Sequence, residues 1–212
     1  MERTGSLTRR GFLGGSLVAA IALGSPHEAL SAEKSDFRPA MIINLNRCIG
    51  CQSCTIACRA IHPDQPYFLT RVEVSEHTKE VRSMFRPHNC NHCKDPSCLQ
   101  ACSHKAIVKG RDGIVRIDKA RCNGCGACVT ACPFGEIFLN KDRAQAIKCE
   151  FCQGERGLPA CVEACASKAR LFGDTLHPKG EFAKALHQAR LEALDADFQD
   201  KLSGTCYVEV RS

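Results

Sequence analysis

The chain has 212 residues, enough for one domain or two small ones. Hydrophobic residues make up 44% and charged residues 25%, with a net charge of +6, which excludes a disordered, collagen-like or polytopic membrane protein. The outlier is cysteine, at 17; Trp is absent and Phe and Tyr number only 10 and 2, so something other than a large aromatic core must hold part of the fold together.

Residues 1–31 read as a targeting segment. Thr8-Arg9-Arg10-Gly11-Phe12-Leu13 leads into an apolar stretch of 13 residues from Gly11 to Leu23, short of the roughly 18 that a spanning helix needs. A basic start before a short apolar run is the pattern of an export signal. The paired arginines followed by Phe-Leu resemble the twin-arginine type, although Gly14 replaces the Lys common at that motif's end. A membrane anchor is the competing reading. Ala29-Leu30-Ser31 offers small residues for cleavage, so fold reasoning starts near residue 32.

Met41-Ile42-Ile43-Asn44-Leu45 predicts a short strand, and Cys48-x2-Cys51-x2-Cys54-x3-Cys58 follows at once. Arg71-Val72-Glu73-Val74 and Met84-Phe85-Arg86 suggest a hairpin before Cys90-x2-Cys93-x4-Cys98-x3-Cys102. Ile107-Val108, Asp112-Gly113 and Ile114-Val115 predict another hairpin, leading into Cys122-x2-Cys125-x2-Cys128-x3-Cys132 and Pro133. The last quartet is Cys149-x2-Cys152-x8-Cys161-x3-Cys165. A short helix or turn is expected to begin after the last Cys of each quartet. Residues 181–202 lack Gly and Pro and carry Phe182, Leu186, Leu191, Leu194, Phe198 and Leu202, which predicts a helical tail packed on its own domain. Cys206, ahead of Tyr207-Val208-Glu209-Val210, reads as a small strand residue.

Sixteen cysteines thus form four quartets, an internal repeat. Disulfides are the usual use of cysteine in an exported chain, and zinc knuckles use pairs of Cys-x2-Cys, often with His. The first and third quartets instead add a third Cys at x2 and a fourth at x3, the bacterial iron–sulfur spacing. Three closely spaced thiolates on a tight loop reach three irons of one cubane. The fourth Cys is expected to open the next helix, point away and ligate a second cluster, with the following Pro helping to end the loop and start that helix. Export of an already folded chain fits, because clusters are built in the reducing cytoplasm and iron-bound thiolates are spared oxidation. Spacing gives the ligands but not the pairing: adjacent or nested quartets both satisfy it.

Other residues carry less. His88 and His92 flank Cys90 and have the chemistry of Rieske-type ligands, but with four cysteines for every centre they read as residues beside a centre or on the surface. Arg47, Arg121 and Lys148 each precede a quartet; such a cation either stabilises the reduced, more negative centre or is a solvated charge. No aromatic-interleaved basic stripe suits nucleic acid, and no Gly-x-Gly-x-x-Gly fingerprint or phosphate loop is present. No catalytic residue is expected.

Several stretches resemble a known family: Cys48-Ile49-Gly50-Cys51, His92-Cys93-Lys94-Asp95-Pro96-Ser97-Cys98, Cys122 through Gly135, Lys148-Cys149-Glu150-Phe151-Cys152 and Leu158-Pro159-Ala160-Cys161-Val162-Glu163-Ala164-Cys165. From about residue 41 to 174 the chain resembles the iron–sulfur electron-transfer subunit of complex iron–sulfur molybdoenzymes of the dimethyl sulfoxide reductase type. Ser103 and Ala166 stand where that family often has Pro.

The resemblance implies an α+β fold of two fused bacterial-type double-cluster ferredoxin modules with short hairpins, over residues 32–176, and a C-terminal helix and strand extension over 177–212. It implies four [4Fe–4S] clusters in nested pairing. Cys48, Cys51, Cys54 and Cys165 would hold the first, and Cys149, Cys152, Cys161 and Cys58 the second. Cys90, Cys93, Cys98 and Cys132 would hold the third, and Cys122, Cys125, Cys128 and Cys102 the fourth. It also implies partners: a molybdopterin catalytic subunit and an integral membrane quinone-reacting subunit, with this periplasmic, non-catalytic chain relaying electrons between them. The chain's own export signal favours relatives of tetrathionate reductase, formate-dependent nitrite reductase, periplasmic hydrogenase and sulfite-reduction-associated complexes. The alternative is a free periplasmic polyferredoxin or a redox sensor.

Overall fold

A computed structural model describes residues 37–74, 85–152, 157–192 and 204–208. The expected signal segment, Met84, Leu194, Phe198, Leu202, Glu209 and Val210 lie outside these residues. The elements in chain order are β1 (Pro39–Asn44), α1 (Ser53–Ile61), β2 (Arg71–Val74), β3 (Phe85–His88), α2 (Ser97–Gln100), β4 (Ile107–Lys109), β5 (Val115–Ile117), α3 (Ala127–Ala131), β6 (Ile137–Asn140), β7 (Gln145–Lys148), α4 (Ala160–Glu163), β8 (Arg170–Asp174), α5 (Gly180–Glu192) and β9 (Gly204–Val208). Short helices alternate with small antiparallel pairings, an α+β arrangement.

β1 is apolar from Pro39 to Ile43 because both its faces are covered. It lies between β8, antiparallel, and β9, parallel. Side chains alternate across a strand. Ala40 and Ile42 pack against Phe182, Leu186 and Ala189 of α5, whose spacing makes one helical stripe. Met41, Ile43 and the following Leu45 pack instead with Ile114, Phe151, Cys54 and Cys161. Cys206 is a buried strand residue of β9 opposite Ile42, and burial pushes its thiol up to about 11.

The two expected hairpins form, with Val72 opposite Pro87 in β2–β3 and Ile107 opposite Ile117 in β4–β5. In the second, Gly113 at φ 84° makes the turn, and Asp112 Oδ1 accepts the Ile114 N–H at 3.0 Å. A third hairpin, β6–β7, was not expected; its turn, residues 141–144, contains neither Gly nor Pro. Its apolar face joins Ile107, Val115 and Ile117 in a core that includes Cys128.

A turn follows Cys102, Cys132 and Cys165, one of the two forms expected there, but the fourth Cys does not open a helix. The helices precede the fourth Cys rather than follow it: α2, α3 and α4 end at Gln100, Ala131 and Glu163, and only α1 runs past its fourth cysteine, Cys58. At Cys132 the reason is steric. Pro133 disfavours the helical region for the residue before it, and Cys132 is extended at φ −77°, ψ 112°. The turn beyond is the same with or without Pro. Lys105, Gly135 and Lys168, at φ 49°, 65° and 51°, donate their N–H to the carbonyls of Cys102, Cys132 and Cys165.

Candidate metal centres

Each quartet begins on a loop with one shared kink. The residue before the second cysteine has positive φ in all four: Gly50 (70°), His92 (46°), Gly124 (73°) and Phe151 (58°). The loop then enters a short helix that carries the third cysteine, Cys54 on α1, Cys98 on α2, Cys128 on α3 and Cys161 on α4. A second left-handed residue, Gln52 or Gly126, caps α1 and α3; Pro96 or Pro159 does so for α2 and α4.

The sixteen cysteines gather in four sets, and each set draws three residues from one quartet and one from another. Cys48, Cys51, Cys54 and Cys165 line one cavity. Cys90, Cys93, Cys98 and Cys132 line a second. Cys102, Cys122, Cys125 and Cys128 line a third. Cys58, Cys149, Cys152 and Cys161 act on one another. Burial pushes the Cys58 thiol up to about 11, with Cys152 adding to it. Burial likewise pushes Cys161 up to about 12; Arg170 opposes this, while Cys58, Cys152 and Cys54 reinforce it. Cys149 is pushed well above its ordinary value by burial, then by Cys161, with Cys90 and Cys58 contributing.

Those neighbours also order the sets. Cys54 couples the first set to the one holding Cys161, and Cys90 couples that one to the next. α1 packs on α4 and α2 on α3. Of the seventeen cysteines only Cys51 and Cys125 are exposed, and they belong to the two end sets.

The residues fit a polynuclear thiolate-bound group. Among the described residues, no three of Cys, His, Asp or Glu converge on a single metal ion, whereas four cysteines line each of the three cavities. Backbone N–H groups of Ala106, Glu136 and Ala146 donate to Cys102, Cys132 and Cys122 Sγ at 3.3, 3.4 and 3.3 Å. Such donors favour a charged sulfur. Ser53, hydrogen-bonded to Cys51 at 3.4 Å, holds that thiol below its ordinary value.

The other singled-out residues separate. His88 belongs to an ionic cluster: its Nε2 lies 3.0 Å from Glu73 Oε2, and Arg71 bridges Glu73 and the buried Glu136. His92 is wholly buried. Its Nδ1 accepts the Val115 N–H at 3.1 Å and its ring packs on Phe151, the equivalent residue of the fourth quartet, at 4.2 Å. Burial, then Lys148, holds this imidazole neutral, well below its ordinary pKa. Arg47 and Arg121 are exposed, Arg121 pairing with Asp118 at 3.2 Å. Lys148 is buried and donates to the carbonyls of Val115 and Cys149. Sequence reasoning missed Arg170, a buried cation beside the outer sets, because nothing in its local sequence marks it.

Repeated cysteine loops, nested sets and short hairpins define a ferredoxin-type iron–sulfur protein. Residues 81–175 match the 4Fe-4S dicluster domain, and residues 45–61 match a 4Fe-4S binding domain. The chain is 43% identical over 162 residues to a tetrathionate reductase subunit of Salmonella typhimurium, covering 72% of this chain and 64% of that protein. It is 39% identical over 143 residues to thiosulfate reductase electron transfer subunit PhsB of Salmonella typhi, covering 63% and 74%. It is 33% identical over 192 residues to protein NrfC of Escherichia coli, covering 85% and 86%. The chain belongs to this family of 4Fe-4S ferredoxin-type proteins, which includes reductase electron-transfer subunits. Among the described residues, no helix is long and apolar enough to cross a membrane.

Proposed function

We propose that this chain relays electrons through four [4Fe–4S] clusters, one in each cysteine set, inside a periplasmic oxidoreductase complex. The observation that carries the reading is the order of the sets, with an exposed cysteine only in the first and the last. Electrons enter near one exposed cysteine and leave near the other. Each cluster, when bound, supplies a one-electron couple whose potential follows its charge, hydrogen bonds and exposure. The chain supplies the sulfurs, fixes them on kinked loops and short helices, and directs N–H groups at Cys102, Cys122 and Cys132. It also keeps water from Cys54, Cys58, Cys90, Cys128 and Cys161, all buried.

The chain is non-catalytic in this reading. Its partners are a catalytic subunit of molybdopterin type and an integral membrane subunit that reacts with quinone. The names of the reductase-subunit relatives support the first. Arg9-Arg10 and the apolar run after them support twin-arginine export. Anaerobic analysis of the purified chain should give about sixteen irons and sixteen acid-labile sulfides, with four centres by EPR after reduction. Zinc in place of iron, or about eight irons, overturns the reading. Copurification from native membranes should bring both partners.

A further inference from the structure

Arg170 lies on β8 at 2% exposure and carries a charge that no described carboxylate balances. Its guanidinium donates to Asn89 Oδ1 at 2.9 Å, Thr70 Oγ1 at 2.6 Å, Met41 Sδ at 3.3 Å and the His88 carbonyl at 3.5 Å. All four acceptors are neutral, and Nε has none. Guanidinium keeps its proton in proteins, so the residue cannot escape the cost by neutralising. That cost is several kcal/mol for a buried, unpaired ion. An anion must therefore complete the site.

The groups that face Arg170 are cysteines of the two outer sets. Cys161, Cys54 and Cys149 act on it most among charged neighbours, followed by Tyr207. It also lines the cavity of Cys48, Cys51, Cys54 and Cys165. The far end differs. The cavity of Cys102, Cys122, Cys125 and Cys128 has no Lys or Arg in its lining. The buried amide and hydroxyl of Asn89 and Thr70 hold the guanidinium without quenching its charge.

We propose that Arg170 is the shared counter-cation of the two outer clusters and raises the reduction potentials of both. A cluster gains one negative charge on reduction, so a fixed cation in a dry setting favours the reduced form. The inference rests on the proposed loading of all four sets.

The test compares anaerobically purified wild type, Arg170→Gln and Arg170→Lys by iron content and EPR-monitored redox titration. In Arg170→Gln, two of the four midpoints should fall. The change in the oxidised-to-reduced ratio at fixed potential should be at least tenfold, about 59 mV for one electron. Arg170→Lys, which keeps the charge, should stay near wild type. If Arg170→Gln loses about half its iron while Arg170→Lys keeps it, the counter-cation role also stands. Loss in both variants, equal shifts in both, or unshifted midpoints in a loaded Arg170→Gln overturns it. A wild type without four centres overturns the relay reading and this inference together; a loaded wild type with unshifted variants overturns the inference alone.

Discussion

Gly124 and Gly126 make a controlled pair, because both hold positive φ in one cysteine loop and only one is crowded. Gly124, at φ +73°, would carry a Cβ 2.5 Å from the backbone C and O of Ala144. Gly126, at φ +78°, would carry one with nothing within 4 Å. Alanine in the left-handed region costs roughly 1–2 kcal/mol at either site. At Gly124 the β6–β7 turn must also move, an overpacking cost of roughly 1–3 kcal/mol more. That turn leads directly to Ala146, whose N–H donates to Cys122 Sγ at 3.3 Å, so the displacement reaches that sulfur. Gly124→Ala should therefore bleach at clearly lower denaturant than Gly126→Ala and purify with less iron. The assay is anaerobic guanidinium titration followed by visible absorbance and circular dichroism. Equal midpoints and equal iron for the two variants would refute the claim that this close approach positions the set of Cys102, Cys122, Cys125 and Cys128.

Cys102→Ser should disturb the centre whose other sulfurs are Cys122, Cys125 and Cys128, since Cys102 lines their cavity. Serine is a harder ligand, so about a quarter of the iron is lost, or about one in sixteen if a three-iron cluster survives. EPR of the variant decides; damage to the centre of Cys90, Cys93 and Cys98 instead would contradict the nested sets. Arg9→Lys with Arg10→Lys should leave cluster-loaded protein in the cytoplasm, checked by fractionation; normal periplasmic delivery counts against the twin-arginine reading. In the metal-free chain, burial holds the Cys58 and Cys98 thiols up at about 11 and Cys161 at about 12, against an ordinary 9.0. A raised pKa stabilises the fold fully below about pH 9, and that contribution is lost as pH climbs through 11 to 12. Cluster loading runs the other way, because thiolates are the ligands and protons leave. Melts of the metal-free chain between about pH 7 and 11, followed by circular dichroism, should show midpoints falling with pH; rising midpoints would contradict the burial.

What the sequence revealed was local. β1 and the β2–β3 and β4–β5 hairpins were legible from short apolar or alternating runs, and the thiols from their spacing. The β6–β7 hairpin was hidden because its turn relies on Asn140 Oδ1 accepting the Arg143 N–H at 3.1 Å, and on Ala144 at φ 47°, rather than on Gly or Pro. The helix positions were misjudged because a Cys-x3-Cys spacing fits a helix on either side of its last residue. Lys148 and Arg47 looked alike in sequence, yet one is buried at the end of β7 and the other is exposed. β8 pairs with β1 across more than a hundred residues, a contact no local pattern encodes.

That long-range pairing explains why the sets are nested. In β1–β8, Ile43 lies opposite Arg170, and Cys48 and Cys165 are each five residues beyond the pair, one forward and one backward. In β5–β4, Ile117 lies opposite Ile107, and Cys122 and Cys102 stand at the same two offsets. An antiparallel pair delivers both chain segments to one end of its ladder. The first cysteine of one quartet therefore meets the last cysteine of another, and the two pairings repeat one design. β4–β5 does this over a short hairpin. β1–β8 does it only after the whole inner region has been threaded between them, with β9 and α5 covering the strand's remaining edge and face. The thiols are themselves core residues: Cys54 and Cys161 pack with Met41 and Ile43, and Cys128 packs with Val115 and Ile137. Strand register and sulfur geometry thus impose the same closure. Adjacent pairing of the first two quartets would require Cys48 to leave Cys165, and so would require β1 to give up β8.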